Sequence, residues 1–310
     1  MRIIEGAENL SFQTKTVATI GTFDGVHIGH RLIIEEVIAR AKQTKLPSLL
    51  MTFDQHPRQV LASQPKIKTL MSLDEKLAYL VNFDLDYVCV LPFRKIAKLS
   101  AQDFYETILL AKANVGHLYI GANFKFGSGA SGDIEWLRKH SDENFEVTEV
   151  ALERVDETVA SSTKIRELLM DGKIDDIPQL LGRNMTLTGR VVRGAGRGGG
   201  LGFPTANLEF DAELCLPGTG IYAGYLWIDD RSVSAVINCG YSPTFGENSF
   251  QCEAHALDYH ADLYGSRVKL ELATRLRDEQ KFPSPEALSR QITHDVHVAR
   301  QWFKHHKPSG

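Results

Sequence analysis

Up to about Gly182 the chain places short continuous apolar runs between stretches of helical spacing. Val17–Ile20, Ser48–Phe53, Tyr87–Leu91, His117–Ile120 and Phe145–Leu152 read as strands. After the first of them, Ile33, Ile34, Val37, Ile38 and Ala41 fall on one helical face. Ser72-Leu-Asp-Glu75 has the form of a capping box and predicts a helix to about Asn82. Ser100-Ala-Gln-Asp103 predicts another, ending near Asn114. Strands alternating with helices predict a parallel sheet covered on both faces. In such a fold the ligand crevice lies beyond the carboxyl ends of the strands.

Beyond Gly182 the pattern changes. Met185–Val192, Ile221–Ile228, Val233–Asn238, Phe250–Tyr259 and Val268–Leu276 are short strand-like runs punctuated by Gly, Pro, Asn and Asp. They predict an antiparallel barrel or sandwich. One helix closes the chain, with Ser284 as N-cap, Pro285 at the first helical position, and Leu288, Ile292, Val296, Ala299 and Phe303 on one face. The change of pattern divides the chain into residues 1–182 and 183–310, with no internal repeat and no long linker.

A length of 310 residues suits two ordinary domains, and a net charge of −4 offers no broad footprint for nucleic acid. Cys89, Cys215, Cys239 and Cys252 are scattered along the sequence with no close pair. That argues against a zinc cluster or a disulfide framework and fits a reducing compartment. The N-terminus turns polar at once, unlike a signal peptide, and no apolar run approaches the ~18 residues of a membrane helix. A cytoplasmic protein without membrane or nucleic-acid partners is expected; a weak or transient homo-oligomer is left open.

The chemistry concentrates in a few segments. In Gly21-Thr-Phe23-Asp-Gly-Val-His27-Ile-Gly-His30, two imidazoles lie three residues apart at a strand-to-helix junction. Helix N–H groups and the positive dipole end favour phosphate there. Ser162, Thr163 and Arg166 offer hydroxyls at a helix start and a guanidinium fork about one turn on. The Gly121–Gly127 loop, with Asn123 and Phe126, suits a planar ring with a polar tip. Taken singly, each segment has a blander reading: histidines beside a glycine turn, an ordinary N-cap, a glycine-rich loop over core phenylalanines. In the second part, Gly194–Gly202 holds six glycines in nine residues, an anion-binding nest or a plain mobile loop. Thr205 and Asn207 follow two apart in an extended run, so they share a face and can ligate Mg²⁺ with nucleotide phosphates. Glu253 and His255 also share a face, and a carboxylate there can take a hydroxyl proton.

In this order the segments of the first part resemble the nucleotidyltransferase superfamily with the H-x-G-H signature, and more closely the FMN adenylyltransferase module of bacterial bifunctional riboflavin kinase/FAD synthetases. Thr52-Phe53-Asp-Gln-His56-Pro57 belongs to the same resemblance, with Gln55 where the family usually has Pro. The second part resembles riboflavin kinase through Gly200-Leu-Gly202-Phe-Pro-Thr205-Ala-Asn207, Gly220–Gly224, Val236–Phe245, Glu253-Ala-His255, Asp262–Gly265 and Arg277–Phe282. The resemblance implies an α/β fold: a Rossmann-like parallel-sheet nucleotidyltransferase domain, then an antiparallel barrel with a C-terminal helix. It implies that riboflavin is phosphorylated to FMN, and FMN adenylylated to FAD with release of pyrophosphate. By the same resemblance Gly21, Phe23, His27, His30, Ser162, Thr163 and Arg166 hold ATP in the first part. Gly200, Gly202, Thr205 and Asn207 hold Mg²⁺ and ATP in the second. Phe53, His56, Asn123, Phe126 and Arg277 face flavin, and Glu253 is the base. Two other readings fit some of the same residues. One is a nucleotidyltransferase for another phosphate-bearing substrate, such as nicotinate mononucleotide or phosphopantetheine. The other is a flavin-binding sensor with activity lost. The kinase-like half disfavours the first, because it makes the FMN that the other half consumes. The presence of all six of His27, His30, Arg166, Thr205, Asn207 and Glu253 disfavours the second.

Overall fold

Six short strands form a parallel sheet at the start of the chain: β1 (Arg2–Glu5), β2 (Thr16–Ile20), β3 (Ser48–Phe53), β4 (Tyr87–Leu91), β5 (Val115–Gly121) and β6 (Glu146–Val150), in the order β1-β4-β3-β2-β5-β6. The computed structural model describes residues 1–61, 67–151, 154–155, 158–194, 203–242, 249–259 and 261–308. β2 is buried along its whole length, and its side chains alternate between two cores. Ala18 and Ile20 join Met51, Leu91, Phe104 and Ile108 on one face. Val17 joins Leu50, Val88, Ile33, Ile34 and Val37 on the other, under the long helix Ile28–Thr44.

Two details differ from the sequence reading. The polar-looking N-terminus is a strand, β1, at the sheet edge, where half its neighbours are solvent and an apolar alternation is not required. The helix that Ser100 caps is α-helical only over Ala101–Asp103. It continues over Phe104–Lys112 with wider turns, as in the Ala113 N–H to Ile108 carbonyl bond. The Ser72–Glu75 capping box is present in both directions and opens the helix Leu73–Leu80.

The short pair β7 (Arg154–Val155) and β8 (Thr158–Val159) follows the sheet. Then six strands close into an antiparallel barrel: β9 (Met185–Val192), β10 (Ala206–Glu209), β11 (Gly220–Ile228), β12 (Arg231–Ser242), β13 (Ser249–Ala256) and β14 (Arg267–Arg277), in the order β10-β13-β12-β11-β14-β9. Closure is made by β10 pairing with β9. The terminal helix Pro285–Phe303 starts as expected at Ser284 and Pro285. Its Val296, Ala299 and Phe303 pack on Ile221, Ala223 and Val236, so these strand positions face outward, toward the helix. The alternate positions Tyr222, Leu226, Ile237, Cys239, Cys252 and Leu270 are fully buried and fill the barrel. Cys239 and Cys252, thirteen positions apart in sequence, are direct cross-strand partners with free thiols. The scatter of cysteines along the sequence thus hides a pair, because sheet register brings them together.

The chain divides into two compact units, Met1–Ser162 and Thr163–Gly310. Residues 163–182, expected with the first domain, therefore pack with the barrel. Gly218 N–H donates to the Leu169 carbonyl at 2.9 Å, and Arg275 N–H donates to the Asp175 carboxylate at 3.3 Å. Gly182, in the left-handed conformation, ends the short helix Ile177–Leu181 just before β9.

Candidate active sites

At the carboxyl end of β2 the chain makes a strained loop. Phe23, Gly25 and Val26 all have positive φ, at 48°, 78° and 41°. Only the glycine adopts this region freely, and a β-branched valine there is exceptional. Such conformations cost about 1–3 kcal/mol per non-glycine residue. Burial offsets the cost: Phe23 and Val26 are sealed into the core beside Ile33, Ile34 and Val37, each worth roughly 1.5–3 kcal/mol.

The loop delivers His27 as N-cap of the helix Ile28–Thr44, and His27 makes no side-chain capping bond. His30 lies on the first turn. The two rings stack with centroids 3.6 Å apart, and Phe23 lies 5.1 Å from His30. Burial first, then the neighbouring His27 and Lys76, hold the His30 pKa well below its ordinary value, so this imidazole is neutral at neutral pH. Its buried Nδ1 has no hydrogen-bond partner among the described residues. Ser162 Oγ donates to the Asp24 carbonyl at 2.8 Å, and Leu70 N–H donates to the buried Asp24 carboxylate at 2.9 Å. Gly21, Phe23, His27, His30 and Ser162 thus belong to one unit. Thr163 and the buried Arg166, on the helix Ser162–Met170, belong to the other.

The sequence reading missed Lys76. This lysine is buried, and its ammonium donates to the Thr22 carbonyl and to Thr52 Oγ1, both at 2.9 Å. Burial lowers its pKa to about 8 against the opposing pull of Asp24 and Asp54. A signal was present: Lys76 sits three after Leu73 and four before Leu80, on the buried stripe of its helix.

Around this end, Phe53 closes β3 and meets Phe93 edge-on at 5.3 Å. His56 Nδ1 accepts from Arg58 N–H at 3.1 Å, which shapes the turn into Pro57–Leu61. Asn123 is exposed on the loop after β5. Phe126, expected against a planar ligand, is buried in the core instead, 5.6 Å from Phe104 and 5.5 Å from Trp136. Gly132 is needed beneath it, since a Cβ there would come within 2.5 Å of its ring.

The barrel builds its site by register. Asn207 pairs with Glu253, Glu253 with Asn238, Asn238 with Ile221, and Ile221 with Arg277. Directly opposed residues share a face, so this row lies on the outward side, where Ile221 meets the terminal helix. Glu253 is thus flanked by two amides, Asn207 and Asn238. Asn238, which the sequence reading left within an apolar run, has a buried Oδ1 with no partner among the described residues. Gly194 leaves room for the Asn207 amide: a Cβ there would fall 2.2 Å from Asn207 Nδ2 and displace it. His255 Nδ1 donates to the Pro204 carbonyl at 2.8 Å, which anchors the segment leading into Thr205. Gly200 and Gly202 lie outside the described residues. Arg277 is held by the buried Asp295 of the terminal helix through a two-pronged ion pair, Nε to Oδ1 at 2.9 Å and Nη2 to Oδ2 at 2.7 Å. No cluster of three His, Cys, Asp or Glu among the described residues could hold a metal by itself. The oxygens of Thr205 and Asn207 suit a hard cation that takes its other ligands from a nucleotide.

Comparison with known proteins bears on both sites. Residues 9–164 match the family model described as FAD synthetase, and residues 181–303 the one described as riboflavin kinase. Arg166 lies just past the first match. The chain is 36% identical over 314 residues to the bifunctional riboflavin kinase/FMN adenylyltransferase of Escherichia coli (strain K12), covering 100% of both. It is 34% identical over 304 residues to that of Pseudomonas fluorescens, covering 97% of each. A solved structure from Streptococcus pneumoniae, described as a macrolide-efflux protein, matches with a TM-score of 0.87 at 28% identity, covering 97% of this chain and 99% of that one. No described helix of this chain is long and apolar enough to cross a membrane. With both family models matched in order and curated relatives matched end to end, the chain belongs to the family of bifunctional riboflavin kinase/FMN adenylyltransferases.

Proposed function

We propose that the two activities of this family reside at two separate sites on this chain, divided functionally at Gly182–Arg183. The enzyme phosphorylates riboflavin to FMN and adenylylates FMN to FAD. The observation that carries the two-site reading is that each activity has its own built constellation. One is the stacked His27–His30 pair on a strained loop; the other is Glu253 between Asn207 and Asn238.

In the kinase step Glu253 takes the proton of the riboflavin 5′-hydroxyl as its oxygen attacks the γ-phosphorus of ATP, and ADP leaves. Thr205 and Asn207 hold Mg²⁺, which neutralises phosphate charge when bound. Gly194 lets the backbone approach Asn207, and the neighbouring glycines cradle the phosphates. Arg277 fixes the terminal helix over the same face, where flavin binds. In the adenylylation step an FMN phosphate oxygen attacks the α-phosphorus of ATP, and pyrophosphate leaves. His27 and His30 donate hydrogen bonds to the phosphates as charge builds, with Ser162, Thr163 and Arg166 on the triphosphate. Phe53, His56 and Asn123 border the flavin. Four buried free cysteines support a reducing, cytoplasmic setting.

The test is incubation with riboflavin, ATP and Mg²⁺ followed by chromatography, expected to show FMN and then FAD. FMN without FAD would remove the adenylylation assignment, and no turnover at all would favour a flavin-binding sensor.

A further inference from the structure

We propose that Lys76 is a positioning residue for adenylyl transfer: its ammonium pins the Thr22 carbonyl and so holds the Gly21–His27 loop in the conformation that aims both imidazoles at the nucleotide. The inference rests on the assignment of His27 and His30 above.

Three observations converge on it. First, Lys76 is a buried lysine whose described partners are not carboxylates. Its Nζ reaches the Thr22 carbonyl and Thr52 Oγ1 at 2.9 Å each, and Thr52 Oγ1 also donates to the Thr22 carbonyl at 3.2 Å. A charge is seldom taken out of water without a job that a neutral side chain could not do as well. Second, the group it grips immediately precedes residues 23–26, of which Phe23, Gly25 and Val26 have positive φ, two of them bearing side chains that disfavour it. A loop in that state persists only where its surroundings over-determine it. Phe23 and Val26 hold it through their side chains, and Lys76 holds it through the backbone immediately before Phe23. Third, Lys76 ties three elements to one point: the end of β2 through Thr22, the end of β3 through Thr52, and its own helix Leu73–Leu80, which the Ser72–Glu75 capping box fixes at the other end. The clamp lies within electrostatic reach of His30, with Asp24 and Asp54 as its acidic neighbours. Burial brings the lysine pKa down to about 8, consistent with an ammonium that gives up solvation for these two bonds.

The test uses the full chain, with riboflavin phosphorylation on the same samples as an internal measure. K76M should lower kcat for FAD formation by about 10²-fold, the scale of a misplaced catalytic group. KM for ATP should change only a few-fold, and FMN formation should stay at the wild-type level. K76R, which keeps a charged donor, should recover most of the lost kcat. T52V, which keeps the volume but removes the hydroxyl, should lower kcat several-fold and keeps the question open to test if K76M fails to fold. The proposal is overturned if folded K76M and T52V both keep wild-type kcat. It is also overturned if K76M raises KM alone, or if K76R is as impaired as K76M. His27→Ala separates the two layers. If it leaves FAD formation intact, the site assignment itself falls; if it abolishes FAD formation while K76M does not, only the role of Lys76 falls.

Discussion

In the first unit the histidine pair and the loop that carries it lie within ten positions, from Gly21 to His30, and their geometry comes from backbone bent into left-handed conformations. In the barrel, Asn207, Asn238 and Glu253 come from three strands, and their geometry comes from ordinary extended backbone in register. The first arrangement is local but strained and depends on buried side chains to hold it. The second is unstrained but non-local, and exists only once the barrel has closed. A loop site should therefore fail when its supports are removed, and a register site when a strand or its neighbour is displaced.

The largest expected effect is Glu253→Gln. It should lower riboflavin phosphorylation by about 10²–10⁴-fold, while FAD formation from supplied FMN continues. His27→Ala should do the reverse, lowering FAD formation by about 10²–10³-fold and sparing FMN formation. Equal loss of both activities in either folded variant would erase the comparison. Next comes Gly194→Ala. Its Cβ would meet Asn207 Nδ2 at 2.2 Å, so Asn207 should be displaced and kinase kcat lowered by about 10²-fold, with adenylylation unchanged. Ser72→Ala removes one half of the capping box on the helix that carries Lys76. It should cost the first unit about 1 kcal/mol, read as a lower unfolding temperature with FMN formation intact.

The last effect is a pH dependence. Lys76 has its pKa lowered from 10.5 to about 8 in the folded state. Between those values the unfolded chain binds more protons than the folded one, so this group makes stability rise with pH across that window. Its penalty is present in full below about 8. Chemical denaturation from pH 7 to 10.5 should show this rise as the difference between wild type and K76M. An unchanged difference would mean that Lys76 is not buried as a charge.

Much of this was legible in the sequence. The runs 48–53 and 87–91 coincide with β3 and β4 because strands buried on both faces read as near-continuous apolar runs, and 185–192 coincides with β9 because its buried positions alternate. Ser72 and Ser284 announced their helices because capping chemistry is local. β1 escaped because an edge strand with exposed Arg2, Ile3 and Glu5 carries no apolar signature. The histidine pair could be read directly, since its spacing is its geometry. The Asn207–Glu253–Asn238 row could not, since nothing in the separation of these residues states which strand lies beside which. Phe126 packs in the core, a placement the sequence does not announce, because an aromatic residue in a glycine-rich loop looks the same whether it faces a flavin or the core. Lys76 was overlooked because a charged residue is ordinarily taken for the wet side of its helix.

The helix bearing Arg166 ends against the barrel: Gly218 N–H reaches the Leu169 carbonyl, and a Cβ on Gly218 would come 2.5 Å from the Met170 carbonyl. The break between the compact units thus lies at Ser162–Thr163, whereas the riboflavin kinase family model begins only at residue 181. A gene cut at Gly182 would leave the helix Ser162–Met170 on one piece and the Gly218 N–H that holds its end on the other. At this helix a break placed by family boundaries falls inside one folded body.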